Sequence, residues 1–187
     1  LVKEINQITK AEFEIIFIND GSKDRTFERM LAIAAGDSRV KYISFSRNFG
    51  KEAGTIAGLE YATGEAVILM DGDLQHPPAM LPQMIEAYEQ GYDVVSARRT
   101  RTGEKRHRTF LAKHFYKLAN KMMDIELMDG VSEFRLFSRK VVNAIISMQE
   151  YNRFSKGIFA WIGFNEKVIE YENQVRTVGE TKYSLKF

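Results

Sequence analysis

Asp71 and Asp73 stand two residues apart at the end of a short apolar run, residues 66–70, and of all residues in this 187-residue chain they speak most directly of chemistry. In an extended or turning backbone, residues i and i+2 point the same way, so both carboxylates converge at the mouth of a buried strand. Side by side they repel, and a divalent cation removes that cost. Hard oxygen donors suit Mg2+ or Mn2+, which take one or two carboxylates and complete their shell with water and phosphate oxygens. Gln75 adds a carbonyl oxygen, so the candidate metal set is Asp71, Asp73 and Gln75. A calcium loop is excluded by count, because His76 falls where glycine is required and Pro82 where glutamate is required. The plain alternative is an Asp-Gly-Asp turn ahead of Pro77-Pro78, which open the next helix.

Two more polar clusters follow apolar runs. Asn19-Asp20-Gly21-Ser22 comes after residues 13–18, and Ser46-Arg47-Asn48-Phe49-Gly50-Lys51 after residues 40–45. Asp20 can accept hydrogen bonds from a base or ribose, and Asp-Gly-Ser is equally a turn and helix-start signal. Gly50, Gly54 and Gly58 recur every four residues on one helix face, which reads as close packing on a sheet. Neither phosphate-loop glycine pattern is present, nor a G-x-S-x-G elbow, which removes support for a P-loop ATPase, a dinucleotide oxidoreductase and a serine hydrolase. Residues 98–108 hold six cations, Arg98, Arg99, Arg101, Lys105, Arg106 and Arg108, against the single acid Glu104. Such a segment is either a solvated loop or a grip for an anionic partner, since arginine forks match phosphate oxygens. No aromatic residue lies among these cations to stack on bases, so nucleic acid is not the expected partner.

These clusters need a scaffold that brings strand ends together. Runs rich in Ile, Val and Phe at 13–18, 40–45, 66–70 and 93–97 alternate with helical patterns at 26–35, 52–62 and 79–90. That alternation predicts an α/β fold, a mostly parallel sheet flanked by helices, with ligands at the carboxyl ends of the strands. All three polar clusters are then expected along one rim. After Arg98 the pattern changes to a basic stretch, a helix near 109–123 and mixed elements to residue 172. The length fits one domain over 1–187, with 44% hydrophobic residues to build its core. With 27 Lys and Arg against 25 Asp and Glu, the chain is neither a basic nucleic-acid wrapper nor an acidic disordered tail. There is no cysteine, hence no disulfide and no thiol nucleophile. The longest clean apolar run is far short of the roughly 20 residues of a membrane span. Both ends read as cut from a longer protein: Leu1, Val2, Ile5 and Ile8 begin inside a helical face, and the final residues stop in mid-pattern.

The blocks at 13–26, 46–51, 71–78 and 91–95 together resemble the family 2 glycosyltransferases of GT-A fold, a Rossmann-like nucleotide-sugar-binding architecture. More narrowly they are similar to the polyprenyl-phosphate hexosyltransferases, dolichol-phosphate mannose synthase and the bactoprenol glucosyltransferases. The likeness continues through Phe134-Arg135-Leu136, Asn152-Arg153-Phe154, residues 159–164 and residues 179–184. It implies that Asp20 recognises the nucleotide base, that Lys51 and Asp71 contact the nucleotide sugar, and that Asp71, Asp73 and Gln75 hold Mg2+ or Mn2+ against its diphosphate. Arg98 and Arg108 would face the acceptor phosphate. Asn19 stands where many members have Asp, and Ser132-Glu133-Phe134-Arg135 replaces the more usual Gly-Asp-Phe-Arg. The family's first strand would precede Leu1, and its membrane helices would follow Phe187.

The implied reaction is an inverting transfer of a hexose from a nucleotide sugar, UDP-glucose favoured over GDP-mannose, to polyprenyl phosphate at the cytoplasmic membrane face. A lipid phosphate is already an anion and needs no strong base; a hydroxyl acceptor would, with Glu133 or Asp129 as candidates. The rivals are therefore a GT-A enzyme acting on a saccharide hydroxyl, and a non-catalytic domain that binds nucleotide sugar or anionic lipid.

Overall fold

The computed structural model describes residues 5–8, 11–72, 75–100, 131–148 and 155–172. The expected alternation is present: β1 (Ile15–Asn19), α1 (Thr26–Gly36), β2 (Val40–Ser44), α2 (Lys51–Tyr61) and β3 (Ala66–Leu69). A 3-10 turn at Pro78–Met80 leads into α3 (Leu81–Glu89), then β4 (Val94–Arg99), β5 (Val131–Ser138), α4 (Arg139–Ser147), α5 (Ser155–Trp161) and β6 (Glu166–Tyr171). Of the basic stretch expected as a loop, Arg98 and Arg99 instead end β4, paired with Glu170 and Tyr171 of β6; residues 101–108 and the helix expected near 109–123 lie outside the described residues.

The strands form two sheets. β1 and β2 pair in parallel, and a four-stranded sheet runs β3-β5-β4-β6. β4 and β6 are parallel, whereas β5 lies antiparallel to both neighbours, β3 and β4. The parallel expectation therefore holds for the strands read from the sequence, and β5 is the exception. Its residues Val-Ser-Glu-Phe-Arg-Leu-Phe-Ser interleave charges with large apolar groups, which conceals a strand buried on both faces. The reversal matters because it brings the N-terminal end of β5, with Glu133, to the same rim as the C-terminal end of β3.

Both faces of the four-stranded sheet are covered. On one, Phe134 and Leu136 of β5 and Val95 and Ala97 of β4 pack with Leu81, Met84 and Ala87 of α3. On the other, Phe137 and Val94 pack with Leu59 of α2, Val141, Val142 and Ile145 of α4, and Phe159 of α5. Helix α2 also lies on β1: a Cβ at Gly54 would stand 3.3 Å from Ile18 Cγ2, and one at Gly58 3.7 Å from the same side chain. The close-packing reading is right for these two glycines. Gly50 is different, since its φ of 95° makes the turn into the helix.

Gly64, in the turn between α2 and β3, joins the sheets. Its N–H donates to Glu14 Oε1 at 3.1 Å, and its carbonyl accepts the Arg139 guanidinium. The same Glu14 oxygen accepts the Thr63 N–H at 2.6 Å and the Thr63 hydroxyl at 2.8 Å, and Oε2 pairs with Lys41 of β2 at 2.7 Å. Burial works against ionisation of Glu14, but the Lys41 ammonium and the Thr63 and Gly64 donors outweigh it and lower its pKa from 4.5 to about 2. A carboxylate depressed in the folded state contributes stability that is complete above about pH 4.5 and lost as pH falls towards about 2. Glu14→Gln is accordingly expected to unfold at lower urea than the wild type at pH 7, with the gap in midpoint closing between pH 4.5 and pH 2. A gap independent of pH would contradict this account.

Candidate functional site

The ends of β1 and β2 are locked together before any ligand is considered. Asn19 is buried; its amide donates to Ser44 Oγ at 2.9 Å, and its oxygen accepts the Ser22 N–H at 3.1 Å. Asp20 reaches across to the second strand end, where Oδ1 accepts the Phe49 N–H at 2.7 Å and Oδ2 the Gly50 N–H at 3.0 Å. Gly21, at φ 65°, touches the opposing backbone: a Cβ there would lie 2.3 Å from the Arg47 carbonyl carbon. No other residue fits this approach. A groove of about 370 Å³ opens beside the junction, lined by Asn19, Gly21, Lys23, Phe27, Ser44 and Arg47 among others. Asp20 thus holds the backbone of the loop that forms one wall of this groove. Each of its oxygens keeps a lone pair for a further partner.

The end of β3 carries the main charge cluster. Lys51, the first residue of α2, places its ammonium 2.8 Å from Asp71 Oδ1, 3.1 Å from Asp71 Oδ2 and 2.6 Å from Glu133 Oε2. Burial pushes the Lys51 pKa down, but its hydrogen bonds to Asp71 and Glu133 outweigh that, and the net shift is upward. His76 secures the turn after β3: its Nδ1 accepts the Asp71 N–H at 3.0 Å, and its ring stacks on Phe134 at 5.0 Å and 12°. Because Nδ1 accepts, the neutral imidazole carries its proton on Nε2, which lies 3.9 Å from Asp71 Oδ2. Gln75 lies in this turn, partly buried.

The expected site residues therefore divide. Lys51, Asp71 and Glu133 come together, and Asp20 lies one loop away, tied to Gly50 beside Lys51. Arg98 pairs with Glu170 of β6, a half-exposed contact. Asp73 and Arg108 lie outside the described residues. Two partners were not legible from spacing. His76 is one, since nothing in its position after the carboxylates marks it as the acceptor of a backbone amide. The other is a buried network on β5: Arg135 lies 3.5 Å from Glu166, which also bonds the Ser96 hydroxyl, and its guanidinium lies over the Phe159 ring at 5.3 Å. Burial lowers the Arg135 pKa, against the pull of Glu166 and Glu133.

The donor set fits a divalent cation in kind. Two carboxylates, Asp71 in the turn after β3 and Glu133 near the start of β5, already share one cation, the Lys51 ammonium, which stands where a positive charge is favoured. Mg2+ and Mn2+ sites use as few as one or two carboxylates, leaving the remaining positions to water and phosphate. Among the described residues no group of three or more His, Cys, Asp or Glu is placed to hold a metal by itself.

Comparison with known proteins adds the family context. A family model described as glycosyl transferase family 2 matches residues 1–146. CsbB of Bacillus subtilis (strain 168), a provisionally named glycosyltransferase, is 52% identical over 191 residues, covering 98% of this chain and 58% of its own length. The bactoprenol glucosyl transferase of Shigella phage SfX is 43% identical over 184 residues, covering 98% of this chain and 60% of its own. The chain thus spans under two thirds of either relative. The crystal structure of glucosyl-3-phosphoglycerate synthase from Mycobacterium tuberculosis, in complex with Mn2+, UDP-glucose and phosphoglyceric acid, matches with a TM-score of 0.52 at 19% identity, over 88% of this chain and 61% of that one. At that identity the likeness is one of fold, the α/β architecture of the GT-A enzymes.

The double hydrogen bond of Asp20 sets an expectation that needs no ligand. Asp20→Ala should lose about 1–3 kcal/mol, a Tm lower by roughly 2–8 °C, in nucleotide-free protein. An unchanged Tm would mean that the carboxylate does not hold the loop.

Proposed function

The chain belongs to glycosyl transferase family 2, and from that membership we propose that it carries out an inverting transfer of a hexose from a nucleotide sugar to polyprenyl phosphate at the cytoplasmic face of a membrane. The observation that carries the acceptor class is the 43% identity, over 98% of this chain, to a bactoprenol glucosyl transferase. That name also favours UDP-glucose as donor over GDP-mannose. Among the described residues no helix is long and apolar enough to cross a membrane; the membrane location belongs to the proposal for the whole protein.

Asp71, with Asp73 and Gln75, would hold Mg2+ or Mn2+ against the donor diphosphate. When bound, the cation supplies positive charge where the leaving group becomes negative. Lys51 offers an ammonium to the same oxygens, and Asp20, through the loop it holds, shapes the groove proposed for the base. An acceptor phosphate oxygen forms its bond to the anomeric carbon while the bond from that carbon to the diphosphate breaks. The electron pair of the broken bond leaves with the diphosphate, and the configuration inverts. No proton has to be removed from an ionised phosphate. Arg98 and Arg108 would grip that phosphate; for Arg98 this means exchanging Glu170, and a half-exposed ion pair of this kind is worth only about 0–1 kcal/mol.

One observation favours a second reading. Glu133 sits at the site itself, 2.6 Å from the ammonium that also binds Asp71, where a base for a saccharide hydroxyl would be needed. The two readings separate in membranes containing the full-length protein, supplied with labelled UDP-glucose or GDP-mannose. Label is expected in polyprenyl-phosphate hexose, with UDP-glucose as donor, and lost in Asp73→Ala. Arg98→Ala should lower transfer at least tenfold, about 1.4 kcal/mol, with donor binding nearly intact. Normal transfer by Arg98→Ala, with label on a saccharide and dependence on Glu133, would overturn the lipid-phosphate reading; metal-independent nucleotide binding without transfer would favour a non-catalytic domain.

A further inference from the structure

The Lys51 ammonium is the cation of the site as it stands. It is shared by three oxygens of two carboxylates, Asp71 in the turn after β3 and Glu133 on β5, and its one positive charge faces their two negative ones. The backbone beneath it is fixed from both sides. Gly50, one residue before, makes the turn at φ 95° and donates its N–H to Asp20. Glu52, one residue after, accepts the Ser155 N–H at 3.3 Å and the Ser155 hydroxyl, which ties the first turn of α2 to the start of α5. Above this anchored base the side chain is half-exposed, a four-carbon stem ending in a compact charge that can turn to another partner.

We propose that Lys51 competes with the divalent cation for Asp71 and releases that carboxylate when a nucleotide diphosphate arrives to take the ammonium, so that metal and nucleotide bind cooperatively. The proposal rests on Asp71 being a metal carboxylate, as read above. A divalent ion seated on Asp71 would lie beside an ammonium in contact with the same group, and like charges so close repel strongly outside bulk water. Without nucleotide, the ammonium gives up one of its two carboxylates and keeps only Glu133. With nucleotide, the phosphate oxygens replace what Asp71 supplied, and the repulsion is offset by charge of opposite sign. Coupling of this kind is reciprocal: whatever factor the nucleotide adds to metal affinity, the metal adds to nucleotide affinity.

The direction is unusual for a residue in a binding site, because its loss should tighten one ligand. Mn2+ binding to the full-length protein, followed by the paramagnetic resonance of free Mn2+, is expected to be several-fold tighter in Lys51→Met than in wild type when no nucleotide is present. Lys51→Gln, which keeps a hydrogen-bond donor between the carboxylates, should behave in the same way, and Lys51→Arg should retain the weak binding of wild type. With UDP added, the gain in Mn2+ affinity should be smaller in Lys51→Met and Lys51→Gln than in wild type. Mn2+ binding no tighter in either neutral variant, while Asp71→Asn abolishes it, would overturn the competition and leave the metal assignment standing. Unchanged Mn2+ binding in Asp71→Asn would overturn the metal assignment itself, and the competition with it.

Discussion

A strand covered on both faces must either exclude charge or compensate it, and β5 compensates it. Phe134 and Leu136 fill one core and Phe137 the other, so the strand cannot tilt its polar residues towards water without emptying a core. Glu133 and Arg135 stay where the pleat puts them and take their partners from neighbouring elements: Lys51 from α2 for the first, Glu166 from β6 and the Phe159 ring from α5 for the second. An ion taken out of water without such partners costs several kcal/mol. The charge cluster at the rim is therefore part of the solution to a folding problem. Lys51 bridges to Asp71 because Glu133 already requires a cation at that place.

The rim was legible where chemistry and local structure coincide. Apolar runs ending in Asn19-Asp20-Gly21, Ser46-Arg47-Asn48 and Asp71 announce strand ends, since turn residues and ligand residues are drawn from the same polar set. Gly54 and Gly58 were legible as packing because a helical period needs only the sequence to be seen. What escaped was the pairing between distant segments. Nothing near Lys51 in the chain points to Glu133, which approaches only because β5 runs antiparallel. His76 was hidden for the opposite reason: it lies so close to the carboxylates that it reads as part of their turn, when its Nδ1 holds the Asp71 amide and its ring belongs to the core with Phe134.

Charges of alternating sign run through the structure from the rim inward. Asp71 and Glu133 flank Lys51, and Arg135 follows on the same face of β5, paired to Glu166, which in turn bonds Ser96. Arg135 is buried and feels the field of Glu133 as well as that of Glu166. A change of charge at the rim, such as a ligand arriving at Asp71, is consequently felt by a group inside the sheet whose hydration cannot rearrange to screen it. Low exposure at Arg135 and half-exposure at Lys51 place the stiff end of this series in the core and the responsive end at the surface.

That arrangement explains why the backbone around the site is so heavily tied. Asp20 spends both oxygens on two amides, Asn19 uses donor and acceptor on Ser44 and Ser22, Glu52 holds Ser155, and His76 holds the Asp71 amide. None of these groups needs to touch a substrate to matter. Main-chain ordering that is complete before a ligand binds does not subtract from its affinity. Lys51 and Arg98, the half-exposed cations of this rim, are paired instead with the carboxylates of Asp71, Glu133 and Glu170. The short polar residues thus hold the main chain while these two cations stand nearer to solvent, where a half-exposed ion pair contributes only about 0–1 kcal/mol, so a change of partner there would cost little beside what holds the strands beneath.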